Sequence, residues 1–262
     1  MIDSKYLCEV AKCAGAEILK FYHLDDVGIQ QKNDESPLTK ADLASDKYID
    51  TKLKEKYPNI PILSEENFNH DYNLRQNWKS CFIVDPLDGT REFIKKNGEF
   101  TVNIAYVENG IVQEGVIYAP VRDELYYSYR GVAFKEAANK TYKLPLITEP
   151  DFFKVVASRS HKNQDTENFI NQLKVKYTHL EKTTVGSSLK FCLIASGEAQ
   201  VYPRLGNIME WDIAAAHGIL KAAGGDVVDF HTGESLRYNK ENLKAPWFIA
   251  SLDAELRNKI YS

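Results

Sequence analysis

The sequence predicts a layered mixed fold, α+β in its first half and α/β in its second. Three observations carry this. Residues 4–22 repeat apolar side chains at helical spacing (Leu7, Val10, Ala11, Ala14, Ile18). Between residues 101 and 134 the pattern changes to period two, as half-buried strands require. Beyond about residue 150, strand-like and helix-like segments alternate.

Taken in order, the first helix is followed by a polar stretch, Gln30 to Pro37, that reads as a loop or lid. Thr39 then caps a second helix, with Asp42 three residues on in capping-box spacing, and Pro58 follows its end. Residues 60–64 form a short strand running into Glu65-Glu66, and residues 81–84 form a buried one. Thr101–Val107 and Ile111–Tyr118 flank Asn109-Gly110, a strong hairpin signal, and residues 125–129 and 132–134 continue the meander. Pro145 and Pro150 mark a soft boundary, dividing the chain into 1–147 and 148–262. In the second part, strands are expected at 153–157, 200–203, 226–229 and 247–250. Helices are expected at 165–173, 188–196 and 211–223, with a short one at the end.

The 262 residues suffice for an ample core, and the 44% hydrophobic and 27% charged composition is that of an ordinary globular chain. A net charge of −4 without a basic run disfavours nucleic-acid polymers and anionic membranes as partners. No stretch has the apolar length of a spanning helix, and the N-terminus lacks a signal-peptide core. The four cysteines form no C-x-x-C, and Cys81 and Cys192 sit in apolar runs as core thiols, which suits a reducing cytoplasm.

The most informative run is Asp85-Pro86-Leu87-Asp88-Gly89-Thr90. It reads as a tight turn after a buried strand, with two carboxylates followed by free amides at a short helix start. Carboxylates hold hard cations and such amides hold phosphate oxygens. Any one acidic site here has a plain structural explanation: Asp42 and Asp212 suit helix starts, and Glu65-Glu66 suits a solvated loop. Their joint occurrence in this order changes the reading.

Ser64-Glu65-Glu66, the Asp85 to Thr90 run and Trp211-Asp212-Ile213-Ala214-Ala215 resemble the three signatures of the inositol monophosphatase superfamily of lithium-sensitive, magnesium-dependent phosphatases. Longer strings (Gly89 to Ile94, Asn97 to Ile104, Ser158-Arg159-Ser160-His161, Gly186 to Cys192) resemble its bacterial CysQ-type bisphosphate nucleotidase branch. Two positions depart from the pattern: Arg91 stands for the usual lysine and keeps the charge, and Ala216 stands for a signature glycine beside Asp212.

The resemblance implies an αβαβα sandwich and two to three magnesium ions. Glu65, Asp85 and the Leu87 carbonyl would hold the first ion, and Asp85, Asp88 and Asp212 the second, with a weaker site near Asp42. Glu65 and Thr90 would orient the attacking water, and Asp42 would accept its proton through Thr90. Glu65, Leu87, Asp88, Gly89, Thr90 and Asp212 would surround the reacting phosphate. Ser187, Lys190, Arg204 and His161 would hold the phosphate that is retained, and Tyr202 could face a base. The implied substrate is adenosine 3',5'-bisphosphate, a by-product of sulfate assimilation, and its sulfated form is a further one. An inositol or other sugar phosphatase uses the same ligands, and a non-catalytic metal or nucleotide sensor could keep the same scaffold. The location implied is the cytoplasm, with some of the branch peripheral on the inner membrane face. The oligomeric state is open.

Overall fold

The computed structural model describes residues 2–24, 27–31, 37–68, 71–149, 152–158, 163–177 and 179–258. Helix α1 (Ser4–Tyr22) starts where the Asp3 carboxylate accepts from the Tyr6 amide at 3.2 Å. Strands β1 (Gln30–Gln31) and β2 (Pro37–Leu38) pair antiparallel, and the residues 32–36 of the expected lid lie outside the described residues. Helix α2 (Lys40–Lys56) carries the expected capping box between Thr39 and Asp42. The strand β3 (Ile62–Ser64) and the short helix α3 (Tyr72–Arg75) lead to β4 (Ser80–Asp88) and helix α4 (Thr90–Ile94).

The meander follows as β5 (Thr101–Glu108), β6 (Ile111–Ala119), β7 (Glu124–Tyr129), β8 (Val132–Ala137) and β9 (Lys140–Lys143). Asn109 and Gly110 both take positive φ (51° and 76°), which is what a two-residue hairpin turn demands. Strands β3 to β9 form one sheet in sequential order, with only the β3–β4 pair parallel.

After it come β10 (Phe153–Ser158), α5 (Gln164–Lys176) and β11 (Leu180–Val185), a parallel β-α-β unit. Helix α6 (Leu189–Ala195) and β12 (Tyr202–Arg204) precede α7 (Ala214–Ala222). Strands β13 (Asp226–Asp229) and β14 (Phe248–Ser251) pair antiparallel, with β12 on the other side of β14, and α8 (Ala254–Asn258) follows.

Alternation along the strands produces the layers. In β4, Phe82 and Val84 join α1 and α2 in one core, while Cys81 and Ile83 join α6 and α7 in another. In the second sheet region, Val156, Tyr202, Val227 and Phe248 face that same helical layer. Val155, Val201, Val228 and Ile249 turn the other way, onto α5 and α8. The result is helix, sheet, helix, sheet, helix, the αβαβα order expected. Helix α7 lies unusually close to β6: a Cβ on Gly115 would stand 2.0 Å from the Ala215 carbonyl oxygen. Ala216 fits at 2% exposure, so its replacing a glycine disturbs nothing.

Three expectations are corrected. The Asp85–Asp88 segment is not a tight turn but the bulged end of β4. The helix expected from Trp211 begins at Ala214, after a turn at 211–213. Strands β9 and β11 were not foreseen, because each is polar and largely exposed and carries no apolar alternation.

Candidate active site

The bulge in β4 is what brings the acids together. In a regular strand, residues three apart point to opposite faces. Here Asp85 pairs with Asn103 and Asp88 with Thr101, so three steps on β4 match two on β5. The extra residue puts both carboxylates on one side. Pro86, which has no N–H to give a ladder, sits inside the irregularity where none is needed. Gly89 then turns the chain at φ +95°, and a side chain there would press on the Glu99 carbonyl oxygen at 3.1 Å.

Asp212 arrives from the second half, in the turn before α7, with its Oδ2 accepting from the Met209 amide at 2.8 Å. Ligand oxygens of Asp85, Asp88 and Asp212 all lie within 4.8 Å of one another. Glu65, whose amide donates to the Val84 carbonyl at 3.0 Å, lines the same cleft, which encloses about 840 Å³. Leu87, Gly89 and Thr90 line it as well.

The acids strain one another electrostatically. Burial, then Glu65, Asp88 and Asp212, hold the Asp85 carboxyl well above the usual range. Burial and the neighbouring Asp88 and Glu65 push Asp212 up to about 7. Burial raises Asp88 too, opposed by the Lys190 ammonium and by donors on its Oδ2. Those donors are the Ser188 amide at 2.6 Å, the Ser187 hydroxyl at 2.8 Å and the Asn103 amide group at 3.4 Å. Asp85 Oδ1 accepts from the Leu87 amide at 3.1 Å, but Oδ2 is buried with no hydrogen-bond donor among the described residues. A proton shared with Asp212 or a bound cation would satisfy it. An all-oxygen, multiply anionic donor set with an orphaned inner oxygen fits a hard divalent ion.

Asp42 holds two roles at once. Its Oδ2 accepts from the Thr39 amide at 2.7 Å and the Thr39 hydroxyl at 2.5 Å, completing the cap. Its Oδ1 accepts from the Thr90 hydroxyl at 3.1 Å. Burial, the largest effect, raises its carboxyl above the ordinary value, which makes it a better base.

The same cleft carries cations beside Asp88. Lys190 is buried at 8% exposure, not the surface helix lysine its position in α6 could suggest. Its ammonium donates to the Ser187 carbonyl at 2.6 Å, and burial pulls its affinity for a proton down. Arg204 lines the cleft beside it, donates from Nη2 to the Asn207 carbonyl at 2.7 Å, and has a buried Nε without a partner among the described residues. Ser187 takes a positive φ of 56°. Tyr202 borders the cleft, with its ring packed edge-on against Phe191 and Phe248. His161 lies outside the described residues.

Sequence reasoning missed the residues that hold Asp88. Thr101 Oγ1 bridges Ser187 and Ser188 at 2.6 and 2.7 Å, and Ser188 donates to Asn103 at 2.8 Å. The signal was present as two polar residues two apart, Thr101 and Asn103, in an otherwise apolar strand.

A cleft with clustered carboxylates and, beside them, the cationic Lys190 and Arg204 defines a protein that handles phosphorylated small molecules with the help of metal ions. The chain belongs to the inositol monophosphatase family, whose model matches residues 4–260. It is 43% identical over 240 residues to the 3'(2'),5'-bisphosphate nucleotidase CysQ of Buchnera aphidicola subsp. Acyrthosiphon pisum, covering 91% of this chain and 88% of that protein. With the protein of that name from Escherichia coli K12 it shares 41% over 255 residues, covering 96% and 100%. Among solved structures, CysQ from Bacteroides thetaiotaomicron superposes with a TM-score of 0.87 at 43% identity, covering 95% of this chain and 97% of that one. The Thermotoga maritima IMPase shares the fold at a TM-score of 0.75 and 23% identity, covering 98% and 97%.

Proposed function

We propose that the protein is a magnesium-dependent 3'(2'),5'-bisphosphate nucleotidase that hydrolyses adenosine 3',5'-bisphosphate to AMP and phosphate, and its sulfated form likewise. The observation that carries it is the pair of charged poles in the cleft: acids within 4.8 Å of one another and, beside Asp88, buried Lys190 with half-buried Arg204. A substrate with two phosphates matches two poles; a sugar monophosphate needs only one.

In this reading Glu65, Asp85, the Leu87 carbonyl, Asp88 and Asp212 hold two magnesium ions, with a third, weaker site near Asp42. When bound, the ions polarise the phosphate, activate water and neutralise developing charge. Thr90 holds the attacking water with Glu65 and relays its proton to Asp42, whose Oδ1 already accepts from the Thr90 hydroxyl. The Gly89 and Thr90 amides, at the start of α4, bind the reacting phosphate. Ser187, Lys190, Arg204 and His161 hold the other phosphate by charge-assisted hydrogen bonds. The first half, 1–147, thus supplies most metal ligands, and the second, 148–262, supplies Asp212 and substrate recognition. The reduced thiols Cys8, Cys81 and Cys192, all buried, support a cytoplasmic setting. Peripheral association with the inner membrane face is the further location the family resemblance implies. No helix among the described residues is long and apolar enough to cross a membrane.

Phosphate release with magnesium, measured across nucleotide bisphosphates and sugar phosphates, tests the assignment. Adenosine 3',5'-bisphosphate is the expected preferred substrate, with inhibition by millimolar lithium. Preference for inositol phosphate would move the protein to the sugar phosphatases.

A further inference from the structure

One face of α2 touches all three segments that carry first-half site residues. Asp42, Ser45 and Asp46 stand at helical positions i, i+3 and i+4, so they share a face. Asp42 accepts from Thr90 at 3.1 Å. Ser45, fully buried, donates from its hydroxyl to the Pro86 carbonyl at 2.7 Å, inside the β4 bulge. Asp46 Oδ1 accepts from the Ser64 hydroxyl at 2.5 Å, and Ser64 immediately precedes Glu65. The Ser64 oxygen in turn accepts from the Glu66 amide at 3.4 Å, closing the turn around Glu65.

We infer that Ser45 and Asp46 are positioning residues that fix the metal-ligating geometry, acting through Pro86 and Ser64. The physical need is specific. A bulge interrupts ladder bonding, so the Pro86 carbonyl has lost its regular strand partner and the direction of the next carbonyl, Leu87, is soft unless something anchors the segment. The Ser45 hydroxyl supplies that anchor. Glu65 follows a strand only three residues long, so its backbone needs a tether beyond the ladder, and Asp46 through Ser64 provides one. Because both tethers spring from one rigid helix, the Glu65 turn and the Asp85–Asp88 bulge are held at a fixed spacing, as the supporting shell of a metal site requires. Neither residue reaches the reacting atoms, and each works through its hydrogen-bonded partner.

The inference rests on the metal-binding reading above, and its test separates the two. Calorimetric titration with Mn²⁺ alone, without substrate, compares the wild type with Ser45→Ala, Ser45→Thr, Asp46→Ala and Asp46→Asn. The expected result is metal affinity about tenfold weaker in both alanine variants, the scale of one lost hydrogen bond to a charged or buried group. Threonine and asparagine keep a hydroxyl donor and an oxygen acceptor, and each restores affinity to within about threefold. Ile49→Val, a buried change in the same helix, loses thermal stability and keeps full metal affinity. Alanine variants that bind Mn²⁺ like the wild type, or Ile49→Val weakening it as much as they do, would overturn the proposal alone. A wild type that binds no Mn²⁺ would overturn the metal reading and the proposal with it.

Discussion

The acidic end and the cationic end of the site adjoin at Asp88 and Lys190, yet they are built on opposite electrostatic terms. At the acidic end, Asp88 and Asp212 raise the proton affinity of Asp85, Asp88 raises that of Asp212, and Asp85 keeps an oxygen without a donor among the described residues. That end is incomplete without a positive charge. At the cationic end, Lys190 is desolvated and its proton loosened, yet Asp88 and Glu92 favour the charge it carries. That end is nearly complete in itself and needs only an anion to match it. The lesson is that one site binds by relieving repulsion and the other by complementing charge, and changes at the two ends should fail differently.

The largest expected effect is at the acidic end. Asp85→Asn or Asp88→Asn should cut magnesium-dependent phosphate release on the order of 10³-fold or more, since ion binding supplies several kcal/mol of transition-state stabilisation. The folded protein should persist, because repulsion is also removed. Product release that survives in Asp88→Asn would break the comparison.

At the cationic end, Lys190→Met keeps the bulk of the side chain and removes the charge. It should raise KM for adenosine 3',5'-bisphosphate on the order of 10²-fold, the cost of a lost charge-assisted hydrogen bond, and leave Mn²⁺ affinity within a few-fold. Equal losses for one-phosphate and two-phosphate substrates would show that Lys190 does not discriminate between them.

Gly115→Ala sharpens the comparison from outside the cleft. Its methyl would meet the Ala215 carbonyl oxygen at 2.0 Å and push α7, the helix that follows Asp212, off the sheet. Destabilisation of about 3 kcal/mol is expected in denaturant titration, without a change in preference between substrates.

The smallest effect is one of pH. Burial and the neighbouring Asp88 and Glu65 push Asp212 from its ordinary 3.8 up to about 7, so between those values the metal-free folded state binds more protons than the unfolded one. Stability without metal therefore falls as pH rises from about 4 to 7. Added magnesium should replace the protons and flatten the slope, and Asp212→Asn should reduce it, leaving the part that comes from Asp85 and Asp88. Melting curves across that range with and without magnesium read this directly.

Much of this was legible in the sequence, for identifiable reasons. The helix of α1, the Asn109-Gly110 hairpin and the Thr39–Asp42 cap are local patterns, and each lies where the pattern puts it. Asp85, Asp88 and Asp212 were readable because they occur together, in order, inside strings that resemble family signatures, although each alone has a plain structural explanation. The β4 bulge was not legible: a D-P-x-D-G run looks like a turn, and only pairing with β5 shows that it stays in the sheet. The Thr101, Asn103 and Ser188 support of Asp88 was also hidden, because its members meet across 85 and more positions of chain. Likewise, the burial of Lys190 follows from where α6 packs, not from its own neighbours in sequence.

The central claim is that oxygen donors from distant parts of the chain share divalent cations at one end of the cleft. Crystals soaked in Mn²⁺ and measured at its absorption edge test this most directly. The account predicts anomalous peaks enclosed by Asp85, Asp88 and Asp212 and reaching Glu65. Crystals saturated with Mn²⁺ that show no peak there would contradict it.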